Sequence, residues 1–470
     1  MKGTHFKNTA IYTIGNMAQK GLSFLLVFLY THFISAEEIG MINTLQVFSA
    51  IYILFLSLGL ERSLYRLYHD YKTENEKRDF LGTVNLSIGL ISLGIVGITL
   101  LFKKPISSAF EDIPFSPFII LCILDAFFTV LFFVPKLLFQ VRQQPIKFIS
   151  ITLGQGLANV LCITVTMLMG YRSAAAILTA GICSYLLFLP VIITVMVRNM
   201  NFVIRTDILK KTLKYSLPLV PSLMSSWVIN MSDRIFIEQH YSGFREVGLY
   251  SVAYKIGQVV QLFATAMLMA YNPLFYSLAN QAEPDRPKIT KLHNDNIKAL
   301  LTICFVAALF SNDFICIFLT PEYASTTHIV PIVIMGYFFI QMIGLQNLAF
   351  YQTKKTVYLM VISCIAAVIN IGLNFLLIGK YGMEGAAFAT MFTQMIFFVI
   401  TYRISTKLYF LHIHFQSLLP LWLGAIAVVF FTFRYLEPGW IGFTIKFLVV
   451  AASLAALNYD KLKKLTPKTA

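Results

Sequence analysis

The stretch FLGTVNLSIGLISLGIVGITLLF, residues 80–102, contains no Asp, Glu, Lys or Arg. It exceeds the roughly 20 apolar residues that a helix needs to cross a bilayer. Fourteen long apolar stretches follow one another along the 470 residues, and we number them spans 1 to 14. Their predicted bounds are 10–34, 40–66, 80–102, 115–140, 147–169, 173–197, 212–238, 246–276, 295–320, 327–350, 357–379, 383–408, 415–433 and 438–458. This pattern predicts an all-α integral membrane protein.

The composition leaves little room for a catalytic domain. Hydrophobic residues make up 57% of the chain and charged residues 13%, so no segment has the composition of a soluble domain. The sequence has no Gly-rich phosphate-binding loop of the Walker type, and its His residues lack metal-ligand spacing. We therefore expect a transporter, not an enzyme, with no catalytic residues, no metal and no bound cofactor.

The formal net charge of +15 could indicate a nucleic-acid partner, but the basic residues follow alternate connections between the spans. If the N-terminus is cytoplasmic, 26 of the 37 Lys and Arg side chains fall on the inner side and 6 on the outer side. An excess of basic residues in cytoplasmic loops sets the orientation of membrane proteins. The asymmetry predicts a multi-pass protein with both termini in the cytoplasm and no nucleic-acid partner.

An internal repeat relates the first twelve spans. The tetrapeptide EIGM at 38–41, between spans 1 and 2, recurs as EVGL at 246–249, between spans 7 and 8. The pair AA at 175–176 recurs at 386–387 with nearly the same offset. Because each copy holds an even number of spans, the copies share one orientation and are related by an axis along the membrane normal. The predicted divisions are a six-span lobe at 1–200, a second at 201–410, and an additional helix pair with a cytoplasmic tail at 411–470.

Spans 1, 2, 7 and 8 carry polar stripes on one side. In span 1, Asn16, Gln19 and Lys20 fall on one side of the helix at about 100° per residue. In span 8, Lys255 and Gln258 are three residues apart on another stripe. An unpaired Lys at the bilayer centre costs about 2.5–3.5 kcal/mol on insertion scales, so a Lys within a polar stripe favours a wet cavity. The clusters in spans 2 and 7 include Glu61, Asp233 and Arg234.

The alternative is that these side chains form interhelical hydrogen bonds and internal ion pairs. Lys136 lies near a membrane edge, where snorkelling accounts for it. Because intramembrane charges mark functional sites by default, we favour the cavity. The predicted substrate contacts are Lys20, Lys255, Arg234, Asn16, Gln19 and Gln258. A coupling or ion-pair role, with protons or sodium as the coupling ion, is predicted for Asp233, Asp125 and Glu61.

One region of the chain carries a family resemblance. The run KYSLPLVPSLMSSWVINMSDRIFI at 214–237, followed by EVGLYSVAYKI at 246–256, closely resembles the start of the second half of polysaccharide flippases in the MOP exporter superfamily. The junction YGMEGAA at 381–387 is similar to the same family's pattern. The resemblance implies two six-helix halves around a cavity lined by spans 1, 2, 7 and 8. It also implies an additional last helix pair. In relatives that flip peptidoglycan precursors, this pair is associated with a groove for the lipid tail.

The resemblance and the cationic stripes lead to one expected function. We expect a flippase of the bacterial cytoplasmic (inner) membrane that moves undecaprenyl-diphosphate-linked oligosaccharide to the outer leaflet by alternating access, for surface polysaccharide biosynthesis. The expected partners are this lipid-linked oligosaccharide, membrane lipids and other polysaccharide assembly proteins. Two alternatives stay open. A multidrug cation exporter of the same fold would concentrate carboxylates in its cavity, and a membrane scaffold of polysaccharide assembly would use the polar stripes only for helix packing.

Overall fold

The computed structural model describes residues 2–109, 113–281, 283–436 and 440–457, which contain helices and connections and no β-strand. The predicted all-α class is therefore confirmed. Short 3₁₀ and π segments lie at Leu60–Arg62, Tyr68–Asp70, Phe115–Ile119, Leu217–Leu219 and Pro321–Thr326. The α-helices are α1 Lys2–Phe33, α2 Ala36–Ser57, α3 Ser63–Leu67, α4 Glu74–Leu101, α5 Lys103–Ala109, α6 Ile120–Leu131, α7 Phe133–Val141, α8 Pro145–Leu168, α9 Ala174–Asn199, α10 Thr206–Ser216, α11 Val220–Met231, α12 Asp233–Tyr241, α13 Arg245–Gly257, α14 Val259–Ala279, α15 Arg286–Phe318, α16 Ile329–Gln352, α17 Val357–Leu408, α18 Phe415–Tyr435 and α19 Trp440–Leu457.

Among the described residues, ten helices are long and apolar enough to cross a membrane, judged by length and composition. The longest, α17, has 52 residues, but its backbone at Gly382 is non-helical, with φ 55° and ψ −132°. Such a positive φ favours glycine, and a Cβ at Gly382 would lie 1.9 Å from the hydroxyl oxygen of Tyr241. This bend falls where predicted spans 11 and 12 meet. The total of fourteen spans stays a prediction.

Capping residues determine where several helices begin. The Ser35 hydroxyl accepts a hydrogen bond from the Glu38 backbone N–H at 3.3 Å, at the start of α2. At the start of α4, Thr73 and Glu76 each accept the other's backbone N–H and form a capping box. These side chains satisfy donors that the first helical turn leaves unpaired. The local sequence therefore sets these starts.

Four predicted spans are divided in the structure. Span 2 consists of α2 and α3, with the 3₁₀ segment Leu60–Arg62 between them. Span 4 consists of α6 and α7, which meet at Phe132. Span 7 consists of α10, α11 and α12, with breaks at Leu217–Leu219 and at Ser232. Proline removes a backbone donor and clashes with the preceding turn, which accounts for the break at Pro218. Span 8 divides into α13 and α14 at Gln258. Three of the predicted site residues, Glu61, Asp233 and Gln258, therefore lie at helix junctions.

The contacts divide the chain into two compact units. The first contains the residues up to Val252 together with Lys355–Phe397, and the second contains Ala253–Lys354 together with the residues from Phe398 onward. In the first unit α1 packs on α8, α2 packs on α4 and α6, and α6 packs on α9. This division does not test the three-part division by sequence, which stays a prediction, and the tail beyond residue 457 lies outside the described residues.

Within the first unit, α2 and α13 meet in a close backbone contact. A Cβ at Gly40 would lie 1.7 Å from the Phe244 carbonyl oxygen, and a Cβ at Gly248 would lie 1.9 Å from the Ala36 carbonyl oxygen. Small residues allow two helix backbones to approach this closely. Gly40 and Gly248 are matched positions of the repeated tetrapeptides. The repeat in the sequence is therefore also a contact in the structure, which we call the glycine contact.

Two carboxylates in the first turn of α2 extend the glycine contact. Glu37 Oε1 accepts a hydrogen bond from the Phe244 backbone N–H at 3.2 Å, next to the start of α13. A Glu38 carboxylate oxygen accepts the Ala174 backbone N–H at the start of α9. Backbone donors at helix starts lack intrahelical partners, and negative charge there is favourable. The first turn of α2 thereby joins α9 and α13.

In the second unit, α15 packs against α14, α16, α18 and α19. Lys446 Nζ of α19 lies 2.6 Å from Asp313 Oδ2 of α15, and the two side chains are 0% and 3% exposed. Nearer the start of α15, the buried His293 ring contacts the Tyr271 hydroxyl and the Gln346 amide, each at 3.0 Å. Buried polar groups of this kind are tolerated only with partners. These contacts therefore fix how α15 packs with α14, α16 and α19.

Replacing Gly40 with Ala is expected to destabilise the protein, because the added methyl group meets backbone atoms that cannot rotate away. Overpacking of this kind costs roughly 1–3 kcal/mol. Thermal unfolding of the purified protein in detergent measures the effect. Gly89→Ala in α4 is the matched control, because nothing lies within 4 Å of a Cβ at that position. The control should be neutral or slightly stabilising. Equal stability of the two variants would contradict the glycine contact.

Candidate functional site

The polar stripe of α1 is largely exposed among the side chains that the structure describes. The side chains of Gln19 and Lys20 are exposed, and Asn16 is half-buried. The helix packs on α8 through other positions, since a Cβ at Gly15 would lie 2.4 Å from the Ile149 side chain. An exposed ammonium group flanked by amides can bind an anion through charge-assisted hydrogen bonds. A substrate-binding role for this face of α1 stays a prediction.

Asp233 and Arg234 form a buried ion pair at the start of α12. Arg234 Nη1 lies 2.8 Å from Asp233 Oδ1, and the two side chains are 8% and 1% exposed. The Tyr250 hydroxyl donates to Asp233 Oδ2 at 2.6 Å, and Arg234 Nη1 also donates to the Asn230 carbonyl at 3.0 Å. Both carboxylate oxygens thus accept a hydrogen bond. The structure brings these two predicted site residues into contact with each other.

A chain of hydroxyls and amides continues from this ion pair into α17. Ser232 Oγ donates to Asn370 Oδ1 at 3.4 Å, and Asn370 Nδ2 donates to Thr393 Oγ1 at 3.2 Å. Asn374 Nδ2 donates to Asn370 Oδ1 at 3.1 Å. All four side chains are buried. The sequence analysis missed this series of hydrogen bonds. Asn370 and Asn374, four residues apart on an apolar helix, share a face and were an available signal.

Asp125 of α6 lies among hydroxyl groups. Ser49 Oγ of α2 donates to Asp125 Oδ2 at 3.1 Å. One turn further along α6, Thr129 shares a hydrogen bond of 2.9 Å with the Tyr185 hydroxyl of α9. Tyr185 also lies close enough to Asp125 for an electrostatic interaction. In the part of the chain that the structure describes, Asp125 has no basic partner.

Glu61 and Lys136 have other partners in the first unit. The Glu61 carboxylate lies 3.4 Å from Arg62 Nε, and the Arg62 side chain is about half exposed. Lys136 Nζ donates to Gln155 Oε1 of α8 at 3.2 Å and lies 5.4 Å from the centre of the Phe132 ring. An internal hydrogen bond and a cation–π contact account for Lys136 better than snorkelling does.

Lys255 and Gln258 belong to the second unit. Lys255 is half-buried in α13, and the exposed Gln258 donates to Gln261 Oε1 at 3.3 Å. The neighbouring Gly257 faces Val333 of α16, since a Cβ at Gly257 would lie 2.6 Å from that side chain. Gly257 thus packs against α16, while the adjacent Gln258 is exposed. No group of three His, Cys, Asp or Glu side chains in the described ranges is placed to hold a metal ion.

Known proteins match the chain in sequence. Residues 5–279 match the family described as polysaccharide biosynthesis protein. A Haemophilus influenzae protein described as an uncharacterized membrane protein is 24% identical over 366 residues, which are 74% of this chain and 84% of that protein. These matches agree with a multi-pass membrane protein.

Solved structures match the chain in fold. The lipid II flippase MurJ in an inward closed conformation has a TM-score of 0.76 at 17% identity, with 96% of this chain and 100% of that chain covered. A mutant of the MATE transporter VcmN from Vibrio cholerae has a TM-score of 0.62 at 12% identity, with 86% and 96% covered. The chain therefore has the fold of the lipid II flippase MurJ and of MATE transporters.

Replacing Arg234 with Gln is expected to destabilise the protein by about 3–5 kcal/mol, because the Asp233 carboxylate is left buried without its cation. Adding Asp233→Asn removes that charge and should recover much of the loss. Thermal unfolding in detergent compares the two variants with the unmodified protein. Lys20→Gln is the control and should stay within about 0.5 kcal/mol, because this side chain is exposed. Unchanged stability of Arg234→Gln would contradict a structural ion pair.

Proposed function

The chain belongs to the polysaccharide biosynthesis protein family, and from that premise we propose that it flips an undecaprenyl-diphosphate-linked oligosaccharide across a membrane. The lipid-linked unit enters from the cytoplasmic leaflet and leaves in the outer leaflet by alternating access. The observation that carries the proposal is the exposed Lys20, which shares a face of α1 with Gln19 and Asn16. A cationic face of this kind suits a diphosphate, and the fold is that of a lipid II flippase.

In this proposal the two ends of the head group meet different chemistry. In the first unit the ammonium group of Lys20 attracts the diphosphate, because charge-assisted hydrogen bonds to phosphate are stronger than neutral ones. Lys255 of the second unit stays a predicted substrate contact. Asn16 and Gln19 hydrogen-bond the sugar hydroxyls, and Gln258 of the second unit stays a predicted substrate contact. Arg234 remains a predicted contact, but its guanidinium is paired with a carboxylate and nearly buried, so it contributes less than Lys20.

The proposal also covers location and energy. The excess of basic residues in alternate connections supports the bacterial inner membrane with both termini in the cytoplasm. Other polysaccharide assembly proteins supply the lipid-linked unit and receive it. An ion gradient drives the cycle, because the sequence lacks a nucleotide-binding loop. Protons or sodium are the candidate ions, and Asp125 and Asp233 are the candidate carboxylates.

The test is the leaflet in which lipid-linked oligosaccharide accumulates in cells depleted of this protein. Accumulation in the cytoplasmic leaflet, reversed by the unmodified protein, supports a flippase. Lys20→Ala and Lys255→Ala are each expected to lower the delivery rate about tenfold, because a hydrogen bond to a charged group is worth about 1.5–3 kcal/mol. Lys20→Arg should retain most of the activity.

Lys210→Ala is the matched control, because Lys210 is an exposed lysine in α10 and lies outside the polar stripes. It should deliver the lipid at the rate of the unmodified protein. Normal delivery in depleted cells would overturn the flippase and favour a multidrug cation exporter. Full activity of a Lys20→Ala, Lys255→Ala double variant would overturn the cationic cavity and favour a scaffold.

A further inference from the structure

The buried carboxyl side chains of the described chain each have a basic partner. Asp313 lies 2.6 Å from Lys446, Asp233 lies 2.8 Å from Arg234, and Glu61 lies 3.4 Å from its neighbour Arg62. Asp125, half-buried in the middle of α6, has no basic partner within the described ranges. A charge inside a membrane protein is ordinarily paired or functional. Asp125 is therefore a carboxyl group within a membrane helix whose charge no basic side chain of the described residues balances.

The groups around Asp125 can form hydrogen bonds with either a charged or a neutral carboxyl. Ser49 of α2 donates to it, and a hydroxyl can equally accept a hydrogen bond from a protonated acid. The titratable groups that face it are Cys122 of its own helix and Tyr185 of α9. From α2, Tyr52 lies near Cys122, and its hydroxyl is bonded to Thr99 of α4 at 2.8 Å. None of these side chains carries a positive charge.

We propose that Asp125 is the site at which the first unit binds and releases a proton during transport. The inference rests on the proposed function, because it names the ion and the carboxylate that couple a gradient to flipping. On binding, a proton from water forms an O–H bond on the Asp125 carboxylate. On release, that bond breaks and the proton returns to water on the other side of the membrane. Asp233 is committed to Arg234 and Tyr250 and takes no part in this step.

The position of Asp125 links the proton to the packing of α2. Its hydrogen bond with Ser49 joins α6 to α2, and the first turn of α2 carries the glycine contact with α13. A hydrogen bond to an ionised group is roughly twice as strong as a neutral one. Protonation therefore weakens the bond between α2 and α6. The proton therefore binds with different affinity to two arrangements of α2 and α6 in the first unit. A coupling ion needs such a difference to shift the equilibrium between them.

Infrared difference spectroscopy between acidic and neutral pH tests the site directly, on the full chain in lipid nanodiscs without any lipid-linked substrate. We expect the carbonyl band of a protonated carboxyl in apolar surroundings to appear on acidification. The band should be lost in Asp125→Asn and retained in Asp233→Asn. Ser49→Ala keeps the carboxyl and should move the band to higher frequency, because the carbonyl loses a hydrogen-bond donor. Absence of the band, or its persistence in Asp125→Asn, would overturn the proposal.

A second measurement separates proton binding from coupling. Glycan delivery to the outer leaflet is compared at two external pH values in cells carrying the unmodified protein or Asp125→Asn. The variant should lose the pH dependence of delivery and keep the leaflet specificity. Delivery by Asp125→Asn with the unmodified pH dependence would overturn coupling, even if the infrared band belongs to Asp125.

Because the spectra need no substrate, failure of the flippase proposal leaves the proton site standing. If Asp125→Asn does not accumulate in membranes, the infrared band of Ser49→Ala decides the site, and an unmoved band then overturns the proposal.

Discussion

A membrane interior offers no water to a polar group, and this constraint governs the polar architecture of the protein. Its effect is visible in how charges are placed. Lys446 meets Asp313 in the second unit, and Arg234 meets Asp233 in the first. The hydrogen bonds through Asn370 follow the same rule, since its side chain contacts Ser232 at the start of α12 and Thr393 beyond the bend of α17. Lys20 differs from these buried charges because its side chain is exposed.

The glycine contact connects the sequence repeat to the packing of the first unit. Two tetrapeptides match across the halves, and their glycines bring α2 and α13 together at the backbone. Side chains larger than hydrogen cannot enter such a contact, so the helices rely on backbone packing instead of interlocking side chains. The carboxylates of Glu37 and Glu38 then hold the starts of α13 and α9. One turn of α2 thereby controls the position of two other helices.

The polar stripes were predictable because a helical face can be read from spacing along one segment. Lys20 and Gln19 are exposed together, as their spacing indicates. The partners of Arg234 and Lys136 were not predictable to the same degree. Lys136 donates a hydrogen bond to Gln155 on another helix. The spacing of apolar residues along one helix does not show which side chains of different helices come into contact. The breaks at Phe132 and Ser232 were missed for a related reason, since each apolar run continues through the break.

Local composition was enough to determine the all-α membrane class and the approximate position of most spans, because length and apolarity decide whether a segment can enter a bilayer. The family resemblance also lay in contiguous runs of sequence. Tertiary packing alone decided which carboxyl groups are balanced by a cation and left Asp125 with the Ser49 hydroxyl as its hydrogen-bond partner. Electrostatic energy depends on distances of a few ångströms between side chains that are far apart in the chain, and only the folded arrangement defines those distances.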